Sequence, residues 1–102
     1  MFKVEEGKIV KVDEAEWTKM SLDDFVKNYR GKTFKLVHLT DKISTSALLK
    51  TKFERTSLQN GIDLTIGKNK IQIYDIKNAM ISPDGKYIVL ICKGGFEVNI
   101  EL

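Results

Sequence analysis

The most apolar segment of this chain is Tyr87-Ile88-Val89-Leu90-Ile91-Cys92, which contains no charged residue and no turn former. Side chains alternate between the two faces of a β-strand, so a strand here is apolar on both faces. An antiparallel strand of this kind lies inside a sheet and has a covering layer on each side. The segment is much shorter than the roughly 20 residues that cross a membrane as a helix. We therefore expect a buried central strand and no membrane partner.

A single helix, predicted over residues 21–30, supplies one of the two covering layers. Ser21 is a favourable N-cap, and Asp24 follows three residues later, as in a capping box. Gly31 comes after the segment and can adopt the positive backbone φ with which many helices end. The apolar residues at helical spacing form one stripe, which consists of Leu22, Phe25, Val26 and Tyr29.

The rest of the chain alternates apolar and polar residues between turn residues, a pattern typical of antiparallel strands. Residues 43–58 fit either a helix or a strand, and their β-branched and Ser/Thr content favours a strand over 47–56. Because one short helix covers only one side of the sheet, we expect the sheet to curl over the other. The predicted fold class is α+β, with one short amphipathic helix, about 21–30, packed on a curled, mostly antiparallel β-sheet or a small partly open barrel. Further strands are expected at residues 2–4, 9–12, 33–40, 62–66, 70–76, 80–81, 86–93 and 96–102.

Chain length and composition limit the domain organisation. The 102 residues correspond to one domain, and an apolar content of 42% suffices for a modest core without disulfides. We therefore expect a single domain over 1–102. The first residues lack the basic and apolar segments of a secretory leader, and the unpaired thiol of Cys92 suits a reducing compartment. These two features predict a cytoplasmic protein.

Few residues offer metal or catalytic chemistry. The chain has one histidine, His38, and one cysteine, Cys92, so Cys and His ligands cannot form a structural zinc site. A nucleophilic pair of Cys92 and His38 requires only that the two residues be close in space. Because Cys92 belongs to the most apolar segment, however, we expect an inert buried thiol. The sequence thus predicts no enzyme, no catalytic residue, no metal site and no cofactor.

The net charge of +3 is distributed unevenly along the chain. Residues 1–24 carry a net −3, residues 25–58 a net +6, and residues 59–102 no net charge. A cluster of bases attracts a phosphate backbone or an acidic protein surface. The alternative interpretation is a solvated surface, because lysines protect strand edges and the chain has fifteen Lys but only two Arg. The candidate residues for binding an anionic partner are Lys27, Arg30, Lys32, Lys35, Lys42, Lys50, Lys52 and Arg55.

Trp17 stands alone in the acidic connector that precedes the predicted helix. A tryptophan at this place either closes one end of the core or, when exposed, anchors an interface with a partner. Closure of the core is the favoured interpretation, and Trp17 is kept as a candidate interface anchor.

Three functions stay open, since the sequence contains no motif that selects one of them. The first is a small non-enzymatic binding or inhibitor-type domain that acts on a protein partner through a charge-divided surface. The second is a small β-barrel that binds nucleic acid or a nucleotide through the basic segment 27–55. The third is a self-assembling structural module, a homo-oligomer formed through a free strand edge on the final strand or the first hairpin. We favour the first function because catalytic and metal-binding constellations are missing from the sequence.

Overall fold

The structure is a computed structural model that describes residues 1–5, 8–40, 45–56, 60–66 and 68–102. Within these ranges the chain forms ten β-strands, one α-helix and two short 3₁₀-helices. The strands are β1 (Phe2–Glu5), β2 (Lys8–Lys11), β3 (Thr18–Met20), β4 (Thr33–Thr40), β5 (Thr45–Thr56), β6 (Gly61–Ile66), β7 (Asn69–Ile73), β8 (Ile76–Ile81), β9 (Tyr87–Cys92) and β10 (Glu97–Glu101). The helix α1 is Leu22–Tyr29, and the 3₁₀-helices are Glu14–Glu16 and Lys93–Gly95.

Eight of the described strands form one sheet in the order β3-β8-β9-β10-β4-β5-β6-β7, and β1 and β2 form a separate hairpin. Every pairing between these strands is antiparallel. The two outermost strands, β3 and β7, do not pair with each other in the described part of the chain, so the sheet is not a closed barrel. The mostly antiparallel α+β class is therefore confirmed. The strand predicted over 47–56 is also confirmed and forms most of β5.

The helix α1 begins and ends where its capping residues predict. Ser21 Oγ accepts a hydrogen bond from the N–H of Asp24 at 3.1 Å, and Gly31 after the helix has a φ of +78°. Phe25 is fully buried in the apolar core, which contains residues of α1, β4 and β6 to β10. Full burial of a side chain of this size contributes about 1.5–3 kcal/mol, so this core is the main source of stability. The fully buried core residues of the sheet are Phe34, Val37, Ile62, Leu64, Ala79, Ile88, Leu90 and Val98.

The strand β9 has the interior position that its sequence predicts, with β8 on one side and β10 on the other. Ile88 and Leu90 belong to the core, whereas Val89 is fully buried outside that core cluster, on the opposite face. The strand β1 packs on β9 and β10, and the N–H of Phe2 donates a hydrogen bond to Glu97 Oε1 at 3.2 Å. The N-terminal hairpin thus covers this face of β9.

Two expectations about strands are wrong. Residues 70–76 do not form one strand, because Asp75 adopts a φ of +57° between β7 and β8. The final strand, β10, does not offer a free edge, because it pairs with β9 on one side and with β4 on the other. The alternation of apolar and polar residues along a strand shows which face is buried, but it does not show which strands lie on either side. The sequence therefore could not reveal that β10 has two neighbours.

Candidate functional site

The candidate bases near the helix lie together at its C-terminal end. Lys27 belongs to the last turn of α1, Arg30 is its C-cap, and Lys32 follows. All three side chains are exposed, and Lys32 Nζ lies 5.3 Å from the centre of the Tyr29 ring. The negative end of the helix dipole favours cations at these positions, so the local structure accounts for them without a ligand.

The pairing of β4 with β5 brings three further candidates together. Thr33 pairs directly with Lys52. Lys35 lies two residues after Thr33 in β4, and Lys50 lies two residues before Lys52 in β5. Residues that are paired across strands share a face of the sheet, as do residues two apart in one strand. Lys35, Lys50 and Lys52 therefore occupy positions on the same face, although the sequence alone left their arrangement open.

The same face continues onto β6 and β7. Lys52 pairs with Thr65, and Thr65 pairs in turn with Lys70. Sequence analysis missed Lys70, because it lies outside the basic segment and only the register of three strands relates it to Lys52. We call the four positions on this face the lysine row, which consists of Lys35, Lys50, Lys52 and Lys70.

The lysine row is partly opposed by carboxylates. Lys35 Nζ lies 3.3 Å from Glu101 Oε1, and the Lys35 side chain is 72% exposed. An ion pair this exposed contributes at most about 1 kcal/mol, so Lys35 can exchange Glu101 for a carboxylate of a partner. Glu54 and Asp63 pair with each other two positions beyond the Lys52–Thr65 pair, and their positions therefore belong to the same face. Along β5, the acidic position of Glu54 thus follows Lys52 on this face, whereas the position of Lys50 precedes it.

Two candidate bases are not part of the lysine row. Lys42 lies outside the described residues. Arg55 pairs with Ile62 in the register of β5 and β6, on the face opposite to that of Lys52. The eight bases of the sequence prediction thus do not form one continuous group in the described part of the chain.

One edge of β5 adjoins the lysine row. The strand pairs with β4 through residues 45–52 and with β6 through residues 52–56. Among the described strands, none pairs with the second side of residues 45–51. Within the described strands, this side of the backbone is therefore unpaired as far as Thr51, next to the position of Lys50.

Trp17 lies far along the sheet order from the lysine row, directly before β3. Its side chain is only 9% exposed and lines a groove of about 380 Å³ between the N-terminal hairpin and the turn at Pro83. In this groove Ser82 Oγ donates a hydrogen bond to Asp84 Oδ1 at 2.6 Å, and this bond lowers the pKa of Asp84. Trp17 forms part of the groove wall and offers little area to a partner. Its role as an interface anchor stays a prediction.

The acidic N-terminal segment is partly neutralised within the protein. Lys3 Nζ lies 2.9 Å from Glu5 Oε2, and the N-terminal ammonium lies 3.4 Å from Glu14 Oε1. The hydrogen bond to Glu5 raises the pKa of Lys3, whose Nζ also lies 4.6 Å from the centre of the Tyr87 ring. Both carboxylates stay at the surface, since the Glu5 side chain is 45% exposed and the Glu14 side chain 62% exposed, so ion pairing offsets their charge without burying them.

The register separates the single thiol from the single imidazole. Cys92 is 2% exposed on the core side of β9, and burial, followed by the nearby carboxylates of Asp75 and Glu97, raises its pKa to about 12. His38 pairs in the register with Asn99, on the opposite face of the sheet. A nucleophilic pair of Cys92 and His38 is therefore ruled out by their positions.

Comparison of the chain with protein-family models, with curated proteins and with solved structures found no match. In the part of the chain that the structure describes, no helix is long and apolar enough to cross a membrane. The same residues contain no group of three or more His, Cys, Asp or Glu side chains that could hold a metal ion. The lysine row and the adjoining edge of β5 are the features from which a function can be argued.

Proposed function

We propose that this protein is a non-enzymatic binding domain whose partner is a protein with an acidic surface, recognised at the lysine row. The observation that supports this proposal is the register of β4 to β7, which places Lys35, Lys50, Lys52 and Lys70 on one face. Charges of one sign on a shared face speed association with an oppositely charged partner and orient it.

A protein partner agrees with the structure better than a nucleic acid does. Single-stranded nucleic acids are usually held by aromatic side chains on which bases stack. Phe34, the aromatic residue of β4, is fully buried in the core and has no face for a base. Specific phosphate contacts also favour arginine, and neither Arg30 nor Arg55 belongs to the lysine row.

The proposal is tested with a labelled extended peptide of alternating Glu and Thr residues, whose binding is measured by fluorescence anisotropy at low and at high salt. We expect the double variant Lys50→Glu/Lys52→Glu to weaken binding by about tenfold or more, because two attractive contacts become repulsive. High salt is expected to weaken binding to the unchanged protein, because exposed charges are screened.

A matched control separates the lysine row from net charge. The double variant Lys8→Glu/Lys77→Glu changes the net charge equally at exposed positions of β2 and β8, and we expect it to bind the peptide within about twofold of the unchanged protein. Equal weakening by both double variants contradicts the proposal. Tighter binding of a labelled oligouridylate than of the acidic peptide would indicate that the partner is a nucleic acid and not a protein.

A further inference from the structure

The N-terminal hairpin of β1 and β2 is attached to the protein differently from the other described strands. It forms a two-stranded sheet of its own, and none of the described strands of the main sheet pairs with it. An isolated two-stranded hairpin is at best marginally stable in water, so the order of this one depends on what it packs against. It packs on β9 and β10 through β1. The strength of that contact therefore determines whether the hairpin stays in place.

The surface beneath the hairpin is largely polar. Val89 of β9 pairs directly with Asn99 of β10, on the face opposite to the core. On this face of β10, Glu97 and Glu101 lie two positions away from Asn99, one on either side. Three successive positions of β10 on this face thus carry charged or amide side chains. Buried apolar area, which holds packed elements together, is limited at this contact.

Asn99 weakens the contact further. Its side chain is 3% exposed, and neither Nδ2 nor Oδ1 has a hydrogen-bond partner among the described residues. A buried amide of this kind loses its hydrogen bonds to water and gains none in return. When the hairpin lifts away, the amide recovers those bonds, which offsets part of the cost of exposing Val89 to water.

The polar anchors of the hairpin lie at the margin of the contact. The N–H of Phe2 donates a hydrogen bond to Glu97 Oε1 at 3.2 Å, in an exposed position. At the other end, Lys3 Nζ lies 4.6 Å from the centre of the Tyr87 ring. Contacts that water can reach contribute little to stability, because water competes for the same groups. These anchors therefore position the hairpin without fixing it firmly.

The two strands of the hairpin are held to each other more completely than to the sheet. They pair along all four residues of each strand, and the N–H of Val12 donates to the carbonyl of Met1 at 3.2 Å. We propose that the hairpin is a detachable cover: β1 and β2 lift from β9 and β10 together while the eight-stranded sheet stays folded, because Asn99 keeps the closed state weak. Opening exposes the paired Val89 and Asn99. This motion is separate from the binding proposed at the lysine row.

Thiol labelling of a full-chain variant measures the opening directly. In Val89→Cys the introduced thiol lies under the hairpin, whereas the native Cys92 lies on the core side of the same strand. A soluble aromatic disulfide reaches the first thiol when the hairpin opens and the second when the sheet unfolds. We expect the introduced thiol to react at least about 100-fold faster than Cys92, because opening a part costs less free energy than unfolding the whole. Equal rates for the two thiols overturn the proposal.

The role of Asn99 is tested by adding Asn99→Leu to the Val89→Cys variant. The substitution removes the unpaired amide from the closed state, and we expect it to slow labelling of the introduced thiol by about tenfold. The matched control Asn28→Leu makes the same change at an exposed position of α1 and should leave the rate within about twofold. Labelling that Asn99→Leu does not slow overturns the proposal.

The margin contacts are tested by a pair of substitutions within the hairpin. Lys3→Met removes the ammonium near Tyr87, and we expect it to speed labelling of the introduced thiol by about threefold. Lys11→Met makes the same change at an exposed position of β2 and should have no effect. Faster labelling of Cys92 in Lys3→Met would show that the hairpin and the sheet unfold together, contrary to the proposal.

Hydrogen exchange of the unchanged protein keeps the test independent of how the variants fold. We expect the amides bonded within β1 and β2 to exchange at least about 100-fold faster than those between β9 and β10, because a lifted hairpin is only marginally stable. Their exchange should depend little on low concentrations of urea, since a small opening exposes little surface. The same rate and urea dependence for both groups overturn the proposal. Hairpin amides that exchange as fast as those of an unfolded chain show that no closed state forms, which also overturns it.

Discussion

The two ends of the sheet differ in what covers their strands. Around β9, the helix α1 and the core lie on one face, the N-terminal hairpin lies on the other, and the edge strand β3 is short. Around β5, the lysine row occupies one face and a seven-residue stretch of one edge has no partner among the described strands. The apolar residues around β9 therefore supply stability, whereas the described strands leave part of one edge of β5 unpaired.

The largest expected effect is on the stability of the covered end. Leu90→Ala removes a fully buried side chain from β9 and is expected to lower the free energy of unfolding by about 2–5 kcal/mol, measured by urea denaturation. The control is Lys70→Ala in the lysine row, for which we expect a change within about 0.5 kcal/mol. A similar loss of unfolding free energy from both substitutions would contradict the conclusion that the β9 end contributes more to stability than the lysine row does.

The buried thiol makes the stability of the covered end depend on alkaline pH. The pKa of Cys92 is raised to about 12, so an unfolded chain ionises its thiol at a lower pH than the folded protein does. Below the pKa of the thiol in the unfolded chain, the stabilising contribution of the buried neutral thiol is fully present. Above that pKa, the free energy of unfolding falls by about 1.4 kcal/mol per pH unit until the pKa of the thiol in the folded protein is reached. Between these two pKa values, the free energies of unfolding of the unchanged protein and of Cys92→Val, measured by denaturation at each pH, should diverge by about 1.4 kcal/mol per pH unit. Parallel curves would show that the thiol is not shielded from water.

The second face of the covered end contains a buried polar group for which the described residues supply no hydrogen-bond partner. Asn99 in β10 is 3% exposed, and neither Nδ2 nor Oδ1 has a hydrogen-bond partner among the described residues. Burial of an unsatisfied amide costs about 1–3 kcal/mol, so Asn99→Leu is expected to raise the free energy of unfolding by about this amount. Thermal and urea denaturation measure the change. A loss of stability instead would indicate that the amide is hydrated or bonded in solution.

The smallest effect is expected at the boundary between the two ends, where Glu101 of β10 reaches Lys35. Glu101→Gln should change the free energy of unfolding by less than about 1 kcal/mol, because the Lys35 side chain is largely exposed. The same substitution is expected to strengthen binding of an acidic peptide, since it releases Lys35 from an internal carboxylate. Unchanged or weaker peptide binding would show that Lys35 is not part of the binding surface.

The local elements were accessible from the sequence, because their determinants lie close together in the chain. Ser21, Asp24 and Gly31 define the ends of α1 through capping interactions within one turn of the backbone. The turn 82–85 is equally local, with Gly85 N–H donating to the Ser82 carbonyl at 3.0 Å and Gly85 at a φ of +73°. The helix α1 is present where the sequence predicts it.

The strand order and the composition of the lysine row were not accessible in the same way. Lys70 shares a face with Lys52 only because β6 lies between their strands in a particular register. The covering of Val89 by the N-terminal hairpin likewise depends on a contact between residues far apart in the chain. Alternation gives the faces of each strand, whereas neighbours and register follow from the packing of the whole sheet.

The interior position of β10 also bears on how the protein is made. This strand is the last of the ten to be synthesised, yet both β4 and β9 depend on it for pairing along their facing edges. Until it emerges from the ribosome, the β4–β7 portion of the chain and the β8–β9 portion lack the strand that joins them. The edges of β4 and β9 that face β10 are therefore expected to stay unpaired longest in the nascent chain, and to need protection from aggregation for longest.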